Sequence, residues 1–167
     1  ALRSALREDP DVVLVGELRD LETMSLAVTA AEMGILILGT MHTSSAATAL
    51  DRIIHVFPGS EQARVRTQLS TSLCGVIAQQ LLRRADRKGR IAVQEILLNN
   101  AAIGNLIREG KTNQIHGLVE RSALLGMQSM DRALRSLLNA RLITGTEAYR
   151  YATQKSDFEP FLEPTAA

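Results

Sequence analysis

The chain has 167 residues, 46% apolar and 22% charged, with a formal net charge of +1. That length suits one domain of ordinary size or a large part of a bigger one, and the composition excludes disorder as the default. The near-neutral balance singles out no polyanionic partner, no apolar run approaches a bilayer span, and a single cysteine, Cys74, excludes an internal disulfide.

The first residues, Ala1-Leu2-Arg3-Ser4-Ala5-Leu6-Arg7, read as an amphipathic helix, with Leu2 and Leu6 one turn apart and Arg3 and Arg7 on a neighbouring face. The helix has no N-cap and no initiator Met, so the protein is expected to extend further upstream. Pro10 stops that helix. Val12 to Val15 follow, four apolar and mostly β-branched residues, as in a parallel strand covered on both faces. Gly16 allows a sharp turn and delivers Glu17, Arg19 and Asp20 to the carboxyl end of the strand, where open α/β sheets place their ligands. Asp20 can cap a helix over 21–32, Gly34 can end it, and 35–38 is a second buried strand. Strand, helix and strand make a βαβ unit with a right-handed crossover.

The second strand also ends in polar residues, Gly39-Thr40-Met41-His42-Thr43-Ser44-Ser45. Both strand ends therefore bring their polar groups to one edge. Helices are expected over 46–56 and 61–73, and Cys74, in an apolar stretch, reads as a buried inert thiol. Residues 75–82 and 90–97 flank the polar turn 83–89 as a hairpin, antiparallel at the edge of the sheet. Beyond Asn100 no strand is indicated. Helices fit 101–109 with Gly110 closing, 115–125, 129–140 and 145–153, where Thr144 and Glu147 match a capping box.

An apolar strand followed by acid is the form of a Walker B element, whose acid can orient the attacking water or hold a metal near phosphates. His42 and the hydroxyls after it can donate hydrogen bonds to phosphate oxygens. Many strands end in solvated acids and many loop histidines are structural, so neither stretch decides alone. No glycine-rich phosphate loop followed by Lys-Ser or Lys-Thr occurs in the sequence.

Taken together, the motifs resemble those of the bacterial type II/IV secretion ATPases, specifically the type IV pilus retraction motors (PilT-like, with PilU as a close relative). Val15-Gly16-Glu17-Leu18-Arg19-Asp20 is similar to the family's Walker B signature and Gly39-Thr40-Met41-His42-Thr43 to its histidine box. Asp51-Arg52-Ile53-Ile54 with Val56-Phe57-Pro58 resembles the next family block. Ala102-Ile103-Gly104-Asn105-Leu106-Ile107-Arg108-Glu109 resembles a motif linked in these motors to retraction, with Gly104 where the usual pattern has Arg.

The resemblance implies an α/β fold: the C-terminal part of a RecA-like P-loop core over 1–99, a parallel sheet with helices on both faces and an edge hairpin. A small helical subdomain over 100–167 follows. It further implies an ATPase with ATP and Mg2+ as cofactors, working as a cytoplasmic homo-hexamer on the inner-membrane platform protein of the pilus machine and with a related retraction ATPase, without nucleic acid. Glu17 would be the catalytic acid and His42 would contact the nucleotide. Gly16 and Thr40 would join them in binding, no residue would hold a metal permanently, and Arg3 or Arg7 would reach toward a neighbouring subunit's nucleotide. Without its own phosphate loop, the chain is expected to be inactive alone. Two other functions fit less well. Assembly and type II secretion ATPases usually carry a four-cysteine metal site, which one Cys cannot build. A non-catalytic ring subunit would have little reason to keep Gly16-Glu17 beside His42.

Overall fold

The computed structural model describes residues 2–162, which divide into two compact units. The first comprises the chain through Thr43, Ala47–Gly75 and Leu98–Ile115; the second comprises Ser44–Ala46, Val76–Leu97 and the chain from His116 on. The change at residue 99/100 is one of element type, from strand to helix, and the units cut across it. The hairpin groups with the later helices, and the segment 101–108 with the N-terminal elements.

In the first unit α1 (Leu2–Ala5) leads to β1 (Val12–Val15), α2 (Leu21–Glu32) and β2 (Leu36–Gly39). The strands pair in parallel, Val12 opposite Leu36 and Val15 opposite Gly39, so the βαβ reading holds. Asp20 caps α2, its carboxylate accepting from Thr23 N at 2.8 Å and Thr23 Oγ1 at 3.0 Å. Those bonds favour the charged form and hold the Asp20 carboxyl below its usual range. At the other end Gly34, at φ +97°, turns the chain back toward β2.

Of the cover expected on two faces, the described residues supply one. Val13 is 8% exposed, but Val12, Leu14, Leu36 and Leu38 are between 42% and 74% exposed, and the register places these four on one face. The described residues bury only the face that carries Val13. An apolar run shows that a strand can be covered, whereas actual cover depends on what the fold supplies.

Helices α3 (Ala46–Val56), α4 (Gly59–Ser72) and, much later in sequence, α5 (Ala101–Arg108) follow. Helix α4 packs against both α2 and α5, burying Met24, Val65, Leu69, Ile103 and Ile107. Asn100 caps α5 by accepting from the amides of Ala102 and Ile103, both at 3.0 Å. Gly104 is buried, and a Cβ there would stand 2.6 Å from the Ser70 carbonyl oxygen. Its lack of a side chain is what lets α5 approach the last turn of α4. Cys74, expected to be buried, is exposed where α4 gives way to the next strand.

In the second unit β3 (Gly75–Arg83) and β4 (Arg90–Leu98) form a two-stranded sheet of their own. This corrects the placement of the hairpin at the edge of the β1–β2 sheet. The reason lies in the alternation along the strands. Their inward residues Leu82 and Val93 join Met130, Leu134, Ile143 and Phe158 in one buried cluster, so the apolar face of the hairpin is satisfied by later helices. Those helices are α6 (Ile115–Arg121), α7 (Met130–Asn139) and α8 (Gly145–Tyr151). The expected helix 115–125 is interrupted, since α6 ends at Arg121 and a 3-10 turn spans Ala123–Leu125.

Side chains tie this unit together at few points. Thr144 caps α8 by accepting from Glu147 N at 3.1 Å, but Glu147 does not complete a capping box. Its buried carboxylate instead accepts from Arg83 N at 2.8 Å, fastening β3 to α8. Asp131, in the first turn of α7, accepts from the amides of Thr153 and Gln154 at 2.7 and 2.8 Å. Phe158 is fully buried, with the Arg135 guanidinium 5.3 Å from its ring centroid. No helix among the described residues is long and apolar enough to cross a membrane.

Candidate functional site

The ends of β1 and β2 are fastened to each other, which sets the positions of the residues beyond them. Leu18 N donates to Thr40 O at 2.9 Å, and Thr40 Oγ1 donates to the Gly16 carbonyl oxygen. Glu17 therefore emerges beside the loop that carries His42. Its Oε1 is ion-paired with Arg19 Nε at 2.8 Å and lies 3.6 Å from His42 Nε2. The Glu17 side chain is 29% exposed, against 83% for His42, so the carboxylate is half-buried beneath an open imidazole. Arg52, on α3, donates from Nη1 to His42 O at 3.0 Å and holds that loop from behind.

Glu17 and Gly16 line an open cleft of about 560 Å³ together with Leu2, Arg3, Val13, Glu22 and Thr23, among others. Arg3 therefore shares the cleft with Glu17, although its guanidinium is exposed and pairs with Glu22 at 3.0 Å. Arg7 is exposed and is not among the lining residues. Thus Gly16, Glu17, Thr40 and His42 come together at the strand ends, while of these only Gly16 and Glu17 line the cleft; Arg3 lines it with them and Arg7 does not.

Sequence reasoning passed over Glu95. It is 5% exposed on β4, and its Oε1 accepts from Ala46 N at 2.7 Å, holding the segment that continues from the His42 loop. The signal was its parity. Val93, Glu95 and Leu97 share the inward side of β4, where a carboxylate needs a donor.

Chemically, a carboxylate steadied by one guanidinium through Oε1 keeps Oε2 for another partner. It can accept a hydrogen bond from water at a cleft wall or serve as one ligand of a divalent cation. An exposed imidazole and a hydroxyl a few residues apart can donate to anionic oxygen.

A family model described as type II/IV secretion system protein matches residues 1–157. The chain belongs to that family. It is 52% identical over 161 residues to a twitching motility protein of Neisseria gonorrhoeae, covering 96% of this chain and 43% of the relative. It is 49% identical over 158 residues to the type IV pilus retraction ATPase PilT of Pseudomonas aeruginosa, covering 95% of this chain and 46% of the relative. A type IV pilus assembly ATPase, PilB of Acinetobacter baylyi, is 46% identical over 84 residues, only 50% of this chain and 14% of the relative. Among solved structures, the pilus retraction motor PilT with bound ADP superposes with a TM-score of 0.85 at 42% identity, over 95% of this chain and 44% of that one. The fold is accordingly that of a RecA-like P-loop ATPase of this family, and the chain spans less than half the length of these relatives.

Proposed function

We propose that this chain is the C-terminal part of a secretion-family ATPase that retracts type IV pili and so drives twitching motility. The observation that carries the reading is Glu17 at the end of β1, on the wall of a cleft, with His42 Nε2 3.6 Å from its carboxylate. Retraction rather than assembly is supported by likeness to retraction and twitching proteins along 95% and 96% of the chain, against 50% for the assembly ATPase. In this reading residues 1–99 contribute the Walker B strand and the histidine box to the ATPase core, and the helical stretch 100–167 follows, its first helix grouping with the N-terminal elements and the rest with the hairpin.

ATP occupies the cleft edge, with its phosphates cradled by a loop supplied from outside this sequence. Glu17 accepts a hydrogen bond from the attacking water and orients it toward the γ-phosphate. His42 faces the same edge and donates to phosphate oxygen, while Thr40, whose hydroxyl donates to the Gly16 carbonyl oxygen, contributes to binding by holding the two strand ends together. Gly16 leaves room for close approach. Arg3, whose partner Glu22 is exposed and easily exchanged, is better placed than Arg7 to meet charge on a neighbouring subunit's nucleotide. The donor set fits Mg2+, which takes one or two carboxylates and fills the rest of its shell with phosphate and water oxygens. Glu17 would hold it, and the ion would supply charge neutralisation on the phosphates.

The working assembly is a homo-hexamer at the cytoplasmic face of the inner membrane, acting on the pilus platform protein alongside a related retraction ATPase. The isolated chain is inactive, because the amides and lysine of a phosphate loop are absent from it. Glu17→Gln in the full-length protein tests the reading. Binding of a fluorescent ATP analogue should survive while turnover falls by orders of magnitude, and His42→Ala should do less damage. Turnover at the parent rate in Glu17→Gln would remove Glu17 from the mechanism.

A further inference from the structure

The net charge of +1 for the whole chain conceals a local concentration of charge at the turn of the β3–β4 hairpin. Residues 83–90 carry the cations Arg83, Arg84, Arg87, Lys88 and Arg90 against a single carboxylate, Asp86. That carboxylate is already committed. Asp86 takes the Arg84 guanidinium on both oxygens, at 2.8 and 2.6 Å, and the Arg84 side chain is only 13% exposed. Arg83, Arg87, Lys88 and Arg90 are exposed, and among the described residues none of them is ion-paired with an acid.

The turn is also held firmly. Arg84 N donates to Gly89 O at 3.2 Å, Ala85 N to Leu142 O at 2.8 Å, and Arg83 N to the buried Glu147 carboxylate at 2.8 Å. The cations therefore stand on a braced tip, which lowers the entropy cost of engaging a partner. Behind them, on the outward side of β3 that also carries Arg83, Ile77 and Leu81 are 66% and 51% exposed.

We infer that the hairpin tip docks on an anionic phospholipid surface, with Arg83, Arg87, Lys88 and Arg90 among the headgroups and Leu81 at their apolar margin. Charge complementarity sets the sign of the partner. A planar layer of repeating phosphates needs no shaped groove, and it accepts apolar side chains beside cations, as interfacial segments do. Nucleic acid is disfavoured because no aromatic residue lies between 75 and 98 to stack on bases, and Ile77 and Leu81 gain nothing from a phosphate backbone. The docking is independent of the nucleotide chemistry proposed above.

The test is co-sedimentation of the full-length protein with vesicles of phosphatidylglycerol and phosphatidylcholine in equal parts, against vesicles of phosphatidylcholine alone. The protein should bind only the anionic vesicles, and less as salt is raised. Replacing Arg83, Arg87 and Lys88 by Gln should lower the partition coefficient about a hundredfold, at roughly a factor of five per cation. Lys88→Gln alone, at the exposed turn, should lower it about fivefold and guards against misfolding of the triple variant. Replacing Arg132, Arg141 and Arg150 by Gln removes the same charge elsewhere and should leave binding intact.

ATP turnover without vesicles should be unchanged in the tip variants, so loss of vesicle binding and loss of the ATPase reading are separate results. The inference is overturned by equal binding to phosphatidylcholine alone, by tip variants that bind like the parent, or by an equal loss in the control variant. It is also overturned if polyglutamate or duplex DNA binds the tip more tightly than the vesicles do, which would give it to an acidic protein or to nucleic acid.

Discussion

Asp131 offers the clearest quantitative test of how the second unit is held together. Its carboxylate is 6% exposed and accepts two backbone amides, Thr153 N on Oδ1 at 2.7 Å and Gln154 N on Oδ2 at 2.8 Å. Asp131→Ala removes two charge-assisted bonds, each worth about 1.5–3 kcal/mol. Thr153 and Gln154 are exposed, so water recovers part of that loss, and the expected cost is about 3 kcal/mol. The lost interaction with the N-terminal end of α7 adds only about 0.5 kcal/mol. For a chain of this size the melting temperature should fall by roughly 6–12 °C. Asp131→Asn keeps one acceptor and turns an NH2 toward the second amide, so it should cost about half as much or more. Urea unfolding of the purified chain followed by circular dichroism measures the difference, and hydrogen exchange at Thr153 and Gln154 localises it. A cost below about 1 kcal/mol for Asp131→Ala would show that the two bonds do not secure the segment after α8.

Gly104→Ala should destabilise by about 1–2 kcal/mol, because crowding the Ser70 carbonyl costs more than the helix propensity returns, and a thermal melt at or above the parent's would contradict this. Glu95→Ala in the full-length protein should lower kcat through a loosened His42 loop, with Glu95→Gln restoring part of it, since an amide oxygen can still accept from Ala46 N; equal activity of all three proteins would show that Glu95 only packs. The Asp20 carboxyl lies below its usual range when folded, so its contribution is complete above about pH 4 and is lost as pH falls through the folded value. Exchange at the Thr23 amide should accelerate over that acid range in the parent and show no such titration in Asp20→Asn. Cys74 should react with a thiol reagent in the native state, and resistance until unfolding would place it in the core.

Much of the local structure was legible because it depends on neighbours in the chain. The Asp20 cap, the turn at Gly34 and the Thr144 cap follow from residues within a few positions of the backbone they serve, and the parallel strands around α2 from the order strand, helix, strand. The candidate site was legible for a similar reason. Two apolar strands in one βαβ unit must end at the same edge, so Glu17 and His42 had to be neighbours once each was placed after its strand.

What lay beyond the sequence depends on residues far apart along it. Apolar strands announce a need for cover without saying where cover arrives, and the described residues cover the Val13 face while leaving Val12, Leu14, Leu36 and Leu38 exposed. The same holds for the hairpin, whose inward face found Met130, Leu134 and Phe158 rather than the first sheet. Glu147 had the spacing of a capping box, yet a backbone amide 64 residues away claimed its carboxylate. Gly104, a weak helix former by propensity, owes its place to the carbonyl of Ser70. Sequence alone determined the short-range hydrogen bonds and the alternation of faces, because these repeat with the period of the backbone. The partners of buried polar groups and the fate of each apolar face were decided by tertiary structure, because desolvation is settled by whichever distant surface closes over the group.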